Sequence, residues 1–404
     1  MKKILFLITV FILNSLFGQK NEIKTEKKEN PKKINITIPS GVKVEVSGEV
    51  EMEFINVEGP GGAQNQDELT QKVNIRSPHT RIDKAVLDLK LLYSKKTSYK
   101  LNLRFNDEKA YADKNYFLHK QSNFKLEIGK NKPKIAAKRK TEGYPLLGTA
   151  FWRGREYHAD FEYFLKNFNL KLATSIALKR PLGYDNIAED KSFKILVYDD
   201  YSKVDGQTIE YGIRGTCSIK PINLSGWYYT GKLMDDTDWG LLHSDFISYS
   251  ELDNNSNSNI NINHYWYGGR VDALFFGTSI RAEHIKSIDG FLSRNGFYTE
   301  LRKDFSLPIL PKNTISFLAR YGELKLNLEG KSFYPDLENA HTWDRQLTTL
   351  ATAYSLNKNS KIKIEYYIIN EETGDTVEFA ELENRTYQPS TKDNHLLIQL
   401  EFTF

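Results

Sequence analysis

Apolar and polar residues alternate along most of the chain, and the segment 395–404 is the clearest example. One face of this segment consists only of apolar residues, namely Leu396, Ile398, Leu400, Phe402 and Phe404. The other face is polar except for Leu397. This period of two predicts a strand with one apolar and one polar side. Because the segment ends on an aromatic residue, we expect it to close a barrel in an outer membrane, with its apolar side toward lipid. An amphipathic edge strand of a soluble sheet is the alternative.

The same alternation recurs after Pro39 and predicts an all-β protein without long helices. It gives sixteen strands, an even number: 42–57, 82–93, 98–105, 112–120, 123–130, 155–165, 168–179, 208–219, 224–233, 262–274, 278–288, 296–305, 314–322, 345–356, 361–371 and 394–404.

The connections between these strands alternate in length. Tight turns are predicted at 95–97, 166–167, 220–223 and 357–360, and long polar segments at 58–81, 180–207, 234–261 and 372–393. Short turns at one rim and long loops at the other are typical of a transmembrane antiparallel β-barrel with both termini in the periplasm. Inside lipid, unpaired strand edges are too costly to persist, so the last strand is expected to pair with the first. A barrel of sixteen strands leaves a water-filled channel.

The N-terminal segment has the features of an export signal. Two lysines follow Met1, and an apolar run of about 15 residues comes next, which is short for a transmembrane helix. We therefore predict a cleaved signal peptide at 1–19, a mobile periplasmic lead-in at 20–40 and the barrel at 41–404.

Composition agrees with this division and excludes some partners. Aromatic residues make up 13% of the chain, with 23 Tyr and 23 Phe, which suits girdles at membrane interfaces. The formal net charge is +4, and it falls to +2 when Lys2 and Lys3 are removed with the signal peptide. So small an excess argues against nucleic acid as a partner. The single cysteine, Cys217, excludes an internal disulfide framework.

The polar faces of the strands predict a lumen wall that carries charges of both signs. Its residues are Lys100, Arg104, Lys125, Glu127, Asp160, Glu162, Lys171, Arg270, Arg302 and Arg320. Because the signs are mixed, the wall charges partly cancel in water.

Candidate chemistry on this wall is sparse. Glu156, His158, Asp160 and Glu162 share one face and could bind a metal, but a salt network with Lys125 or Lys171 is the favoured interpretation. The sequence contains no GxSxG, HExxH, P-loop or GxGxxG motif. We therefore expect neither an enzyme nor a cofactor.

Three segments carry a resemblance to a known family. They are 267–284 (YGGRVDALFFGTSIRAEH), 295–301 (NGFYTEL) and the terminal HLLIQLEFTF. They resemble the phosphate-selective porin O and P family of Gram-negative outer membranes. The resemblance implies a sixteen-stranded, often trimeric diffusion channel whose third outer loop folds inward and narrows the pore. Here that loop is 131–154, and its implied constriction residues are Lys132, Lys134, Lys138, Arg139 and Lys140.

The function expected from these features is a porin for small hydrophilic solutes. A weak preference for anions such as phosphate would come from the loop lysines, which act as point charges in the narrowest section. The expected partners are outer-membrane lipid, the barrel-assembly machinery through the C-terminal strand, small anionic or polar solutes, and two further copies in a homotrimer. A plugged or structural surface barrel and a secreted glycan-binding β-sandwich are the alternatives.

Overall fold

A computed structural model gives the three-dimensional structure of the protein. It describes residues 34–37, 42–57, 78–105, 110–131, 141, 156–179, 208–232, 263–289, 292–307, 310–328, 344–372, 377–382, 384, 386–387, 389–392 and 394–404. The predicted signal peptide and all five basic loop residues, Lys132, Lys134, Lys138, Arg139 and Lys140, lie outside the described residues.

Strands dominate the described chain. They are β1 (Ile34–Thr37), β2 (Lys43–Val57), β3 (His79–Leu92), β4 (Thr97–Phe105), β5 (Ala110–Lys120), β6 (Phe124–Asn131), β7 (Glu156–Leu165), β8 (Leu170–Lys179), β9 (Thr208–Ile219), β10 (Ile222–Lys232), β11 (Asn263–Phe275), β12 (Thr278–Asp289), β13 (Leu292–Leu307), β14 (Leu310–Leu328), β15 (Asp344–Ser355), β16 (Ser360–Glu372), β17 (Ser390–Lys392) and β18 (His395–Thr403). β1 and β17 have only 4 and 3 residues, so sixteen long strands remain, and they match the sixteen predicted segments to within a few residues.

The sixteen long strands form one closed antiparallel barrel. Each pairs with its neighbour in the chain, and β18 pairs with β2 to close the ring. In this closing pair, Ile398 lies opposite Phe54 and Phe402 lies opposite Val50. The predicted barrel and the predicted pairing of the last strand with the first are both confirmed. A single closed sheet also excludes the two-layer sandwich.

The connections place short turns at one rim, which we call the short-turn rim, and mostly longer segments at the other, the long-loop rim. At the short-turn rim, the Ser94 hydroxyl accepts hydrogen bonds from the backbone N–H groups of Lys96 and Thr97, at 3.1 and 3.0 Å. The Asn357 side chain likewise accepts the N–H of Asn359 at 2.8 Å. Ser and Asn bond their own backbone in this way, and this chemistry favours tight hairpin connections.

The long-loop rim departs from strict alternation in two places. Only residues 106–109 join β4 to β5, and only 290–291 join β12 to β13. The third connection at this rim, between β6 and β7, is long, as predicted.

The closing seam uses one strand that the sequence pattern missed. β18 ends beside Gly48, where the backbone N–H and C=O of Phe404 bond to those of Gly48, both at 3.0 Å. The remaining edge of β2, residues 43–46, pairs instead with β1. β1 lies in the segment predicted as a lead-in, and it supplies backbone partners to an edge that would otherwise have none.

Helical structure is minor in the part of the chain that the structure describes. A 3-10 turn covers Lys166–Phe168, and one α-helix, α1, covers Val377–Leu382. None of the helices in the described ranges has the length and apolar character needed to cross a membrane.

Candidate functional site

The interior of the barrel is the candidate site, because the charged side chains point into it. β9 shows the arrangement: Ile209, Tyr211 and Ile213 are 40, 53 and 61% exposed, whereas Glu210 and Arg214 between them are 0 and 7% exposed. A soluble protein buries its apolar residues and exposes its charges. The reversed pattern fits a sheet whose outer surface meets hydrocarbon and whose inner surface is polar.

All ten residues predicted for the lumen wall lie on the inward faces of their strands. On β4, the Lys100 ammonium lies 5.6 Å from the ring centre of Tyr116. The Arg104 guanidinium donates to the backbone carbonyl of Asp83 at 3.1 Å. The other eight belong to two ion-pair clusters or lie beside them.

The first cluster joins β6 to β9. Lys125 Nζ lies 2.8 Å from Glu162 and 3.4 Å from Glu127. Arg214 lies 3.5 Å from Asp160 and 3.7 Å from Glu162. Lys171 Nζ is 3.8 Å from Glu162, at the edge of the cluster. These contacts form the salt network that the sequence offered as the alternative to a metal site.

The second cluster is a row of alternating charges across β11, β12, β13 and β14. Arg270 pairs with Asp272 at 3.0 Å, and Asp272 pairs with Arg281 at 2.6 Å. Arg281 then lies 3.8 Å from Glu300, which bonds Arg320 at 2.8 and 2.9 Å. The row holds three cations and two carboxylates, so most of its charge is compensated within the wall.

Arg302 lies beside this row and bonds Asp304 at 2.7 Å.

A third group of acidic residues lies at the closing seam. The carboxylates of Glu49, Glu51 and Glu401 lie within 4.8 Å of one another, and no other acidic, His or Cys group in the described residues has metal-ligand spacing. Lysine ammonium groups already contact them: Lys84 is 2.5 Å from Glu49, and Lys361 is 2.6 Å from Glu401. The cluster is therefore an ion-pair network with its own cations.

Sequence reasoning missed an apolar band on the inward face, which we call the inner apolar belt. Its buried members are Trp227, Tyr229, Trp266, Ile285, Tyr298, Leu324, Leu347, Tyr367, Ile369 and Leu397, and Ile55 packs against them. Leu397 was the one exception to the polar face of the last strand, and this contact accounts for it. Similar breaks in alternation on the other strands were the signal that could have revealed the belt.

Two glycines let the large rings of the belt lie close to the wall. The Tyr229 ring covers Gly212 on β9, where a Cβ atom would lie 1.9 Å from the ring. A Cβ at Gly268 would lie 2.8 Å from the Trp227 ring. Tyr229 also stacks on Trp266 with ring centres 4.5 Å apart and planes inclined by 12°. The rings fill the space that the missing side chains leave, a known pairing of aromatic residues with glycine in sheets.

One described residue of the loop between β6 and β7 lies inside the barrel. Thr141 is buried, and its hydroxyl accepts a hydrogen bond of 3.0 Å from Arg320 on β14. β14 is seven strands from β7 in one direction around the ring and eight from β6 in the other. The loop therefore contacts the wall opposite its own origin at this residue.

The barrel has counterparts among solved structures. No protein-family model and no curated protein matches the sequence. Similar structures include Salmonella typhi OmpF in complex with daunomycin, with a TM-score of 0.54 and 9% identity over 92% of this chain and 100% of that one. An anion-selective porin from Comamonas acidovorans has a TM-score of 0.53 and 9% identity over 90% of this chain and 100% of that one.

A trimer form of in-vitro folded OmpT, an outer membrane protein of Vibrio cholerae, is similar to the same degree. Its TM-score is 0.53, with 9% identity over 90% of this chain and 99% of that one. Identities this low carry the fold alone. The chain thus has the porin-like β-barrel fold of outer-membrane proteins.

Proposed function

We propose that the protein is a non-enzymatic porin of a Gram-negative outer membrane, which forms a water-filled diffusion channel for small hydrophilic solutes. One observation carries the proposal: a closed barrel of sixteen strands has an apolar outer face and a charged inner face. Such a surface is stable only where lipid surrounds the barrel and water or polar groups fill it.

Export and assembly complete the proposal. The segment 1–19 acts as a cleaved signal peptide, and 20–40 lies in the periplasm. The barrel-assembly machinery recognises the C-terminal strand, whose apolar residues Leu396, Ile398, Leu400, Phe402 and Phe404 face lipid. The barrel assembles as a homotrimer.

Selectivity is proposed to be weakly anionic and to include phosphate. The wall charges are largely paired, as in the row from Arg270 to Arg320, so the wall itself gives little discrimination. The basic residues of loop 131–154, Lys132, Lys134, Lys138, Arg139 and Lys140, supply the remaining positive charge. Point charges in a narrow section are the least screened by water and salt.

The test is the conductance of refolded protein in a planar bilayer under a salt gradient, with and without phosphate. We expect ion-conducting steps and a reversal potential of the sign that anion preference gives. Changing Lys138, Arg139 and Lys140 together to Glu should shift the reversal potential toward cations. The matched control changes Lys191 and Lys194, in the loop 180–207, to Glu and should shift it less. Cation selectivity of the unaltered protein would refute the role of the loop lysines.

A plugged or structural barrel is the second candidate, and the inner apolar belt favours it. Trp266 and Tyr298 face the interior, yet they are 0 and 1% exposed. A belt so thoroughly covered leaves less of the bore open than an all-polar wall would. Absence of conductance from protein that migrates as a folded barrel on gels would select this candidate over the porin.

A further inference from the structure

The inference concerns the contact between Thr141 and Arg320. Arg320 is 3% exposed and lies on the inward face of β14, near the middle of the strand. Its Nε and one terminal nitrogen donate to the same oxygen of Glu300, at 2.9 and 2.8 Å. This two-point contact holds the plane of the guanidinium in one orientation. The arginine can therefore present its remaining hydrogen-bonding capacity in a fixed direction.

Thr141 meets the arginine in that direction. Its hydroxyl lies 3.0 Å from the Arg320 nitrogen, and the residue is itself only 3% exposed. A hydrogen bond to a charged donor in a buried site is stronger than one between neutral groups. Glu300 supports the arrangement from the neighbouring strand, since it also lies 3.8 Å from Arg281 on β12.

We propose that Arg320, oriented by Glu300, is a positioning residue that binds Thr141 and so fixes loop 131–154 across the bore against the far wall. Thr141 directly follows the basic run Lys138, Arg139 and Lys140 in the chain. Three residues span at most about 11 Å, so the anchor limits how far this run can lie from β14. The selectivity proposed above for the loop lysines then depends on one contact in the wall.

Limited proteolysis tests the anchor without depending on channel activity. Trypsin cuts after Lys and Arg, so the run before Thr141 reports whether the loop is accessible, and Lys191 and Lys194 in the loop 180–207 serve as an internal reference. Thr141→Val keeps the shape of the side chain and removes the hydroxyl. Because a lost bond to a charged group shifts an equilibrium about tenfold or more, cleavage at 138–140 relative to the reference should rise by about that factor. Thr141→Ser keeps the hydroxyl and should cleave like the unaltered protein.

Two wall variants complete the design. Arg320→Met should raise cleavage at 138–140 as Thr141→Val does, and the double variant should show no further increase because both changes remove one contact. Arg214→Met removes another buried lumen arginine, 3.5 Å from Asp160, and should leave cleavage unchanged. Heat-modifiable migration on gels confirms that each variant is a folded barrel, and a variant that fails this check is replaced by Thr141→Val alone.

The outcomes separate the anchor from the proposed channel. Rapid cleavage at 138–140 in the unaltered protein, equal cleavage in Thr141→Val and Thr141→Ser, or an equal rise in Arg214→Met would each overturn the anchor. The effect on ion flow rests on the proposed function: Thr141→Val should raise or destabilise the single-channel conductance. If the unaltered protein does not conduct, the porin proposal fails, and the proteolysis result still decides the anchor.

Discussion

Replacing Gly212 by alanine tests how the belt rings are accommodated. A Cβ atom at this position would lie 1.9 Å from the Tyr229 ring, and ordinary van der Waals contact begins at about 3.4 Å, so the ring must retreat by about 1.5 Å. Trp266 stacks on the same ring at 4.5 Å and limits the directions in which it can move. Overpacking of this kind typically costs about 1–3 kcal/mol.

A smaller gain opposes this cost. Alanine is favoured over glycine in a strand interior by roughly 0.5–1 kcal/mol, so the net loss of unfolding free energy should be about 1–2 kcal/mol. In a Tyr229→Ala background the clash is gone, and Gly212→Ala should then be neutral or slightly stabilising. The two changes should therefore show a coupling energy of about 1–3 kcal/mol.

The assay is denaturant unfolding of the four proteins of this cycle, refolded in phospholipid vesicles. Gly226→Ala on β10 is the matched control, because the nearest atom to its added Cβ would be 3.7 Å away. Additive effects of Gly212→Ala and Tyr229→Ala, or an equal loss of stability in Gly226→Ala, would refute the idea that Gly212 exists to seat the ring.

Two further predictions use neighbouring or matched positions. Leu101→Lys places a charge on the lipid face and should cost about 2–4 kcal/mol, whereas Asn102→Lys points inward beside Asp88, 2.7 Å from the present amide, and should change stability by roughly 1 kcal/mol or less. Equal stabilities in vesicles would contradict the assignment of the two faces. Phe404→Ala removes the ring beside the closing seam and should lower the yield of heat-modifiable barrel several-fold. Phe276→Ala, in an exposed turn, should leave that yield unchanged, and equal yields would remove the closing role of Phe404.

The architecture could be predicted because each strand carries its own signal. A residue such as Ile398 or Gln399 shows its face through parity alone, and the backbone geometry of a strand fixes that parity locally. Closure also followed without knowledge of contacts, since lipid cannot satisfy a free strand edge. For the same reason the sequence placed all ten lumen-wall charges on the correct face.

The partners of those charges could not be predicted, because they depend on register between strands far apart in the chain. Parity does not say that Glu300 would stand between Arg281 and Arg320, or that Tyr229 would lie over Gly212. Short β1 was missed for a related reason: four residues carry too little pattern, and only the edge that β18 leaves open explains their pairing.

The sequence by itself determined the strands, their two faces and their closure into a ring, because these depend on local alternation and on the solvent around the sheet. Only the tertiary structure decided the paired row of wall charges, the inner apolar belt and the contact of Thr141 with Arg320. Each of these joins residues through space across the barrel, where neither spacing nor periodicity along the chain carries information.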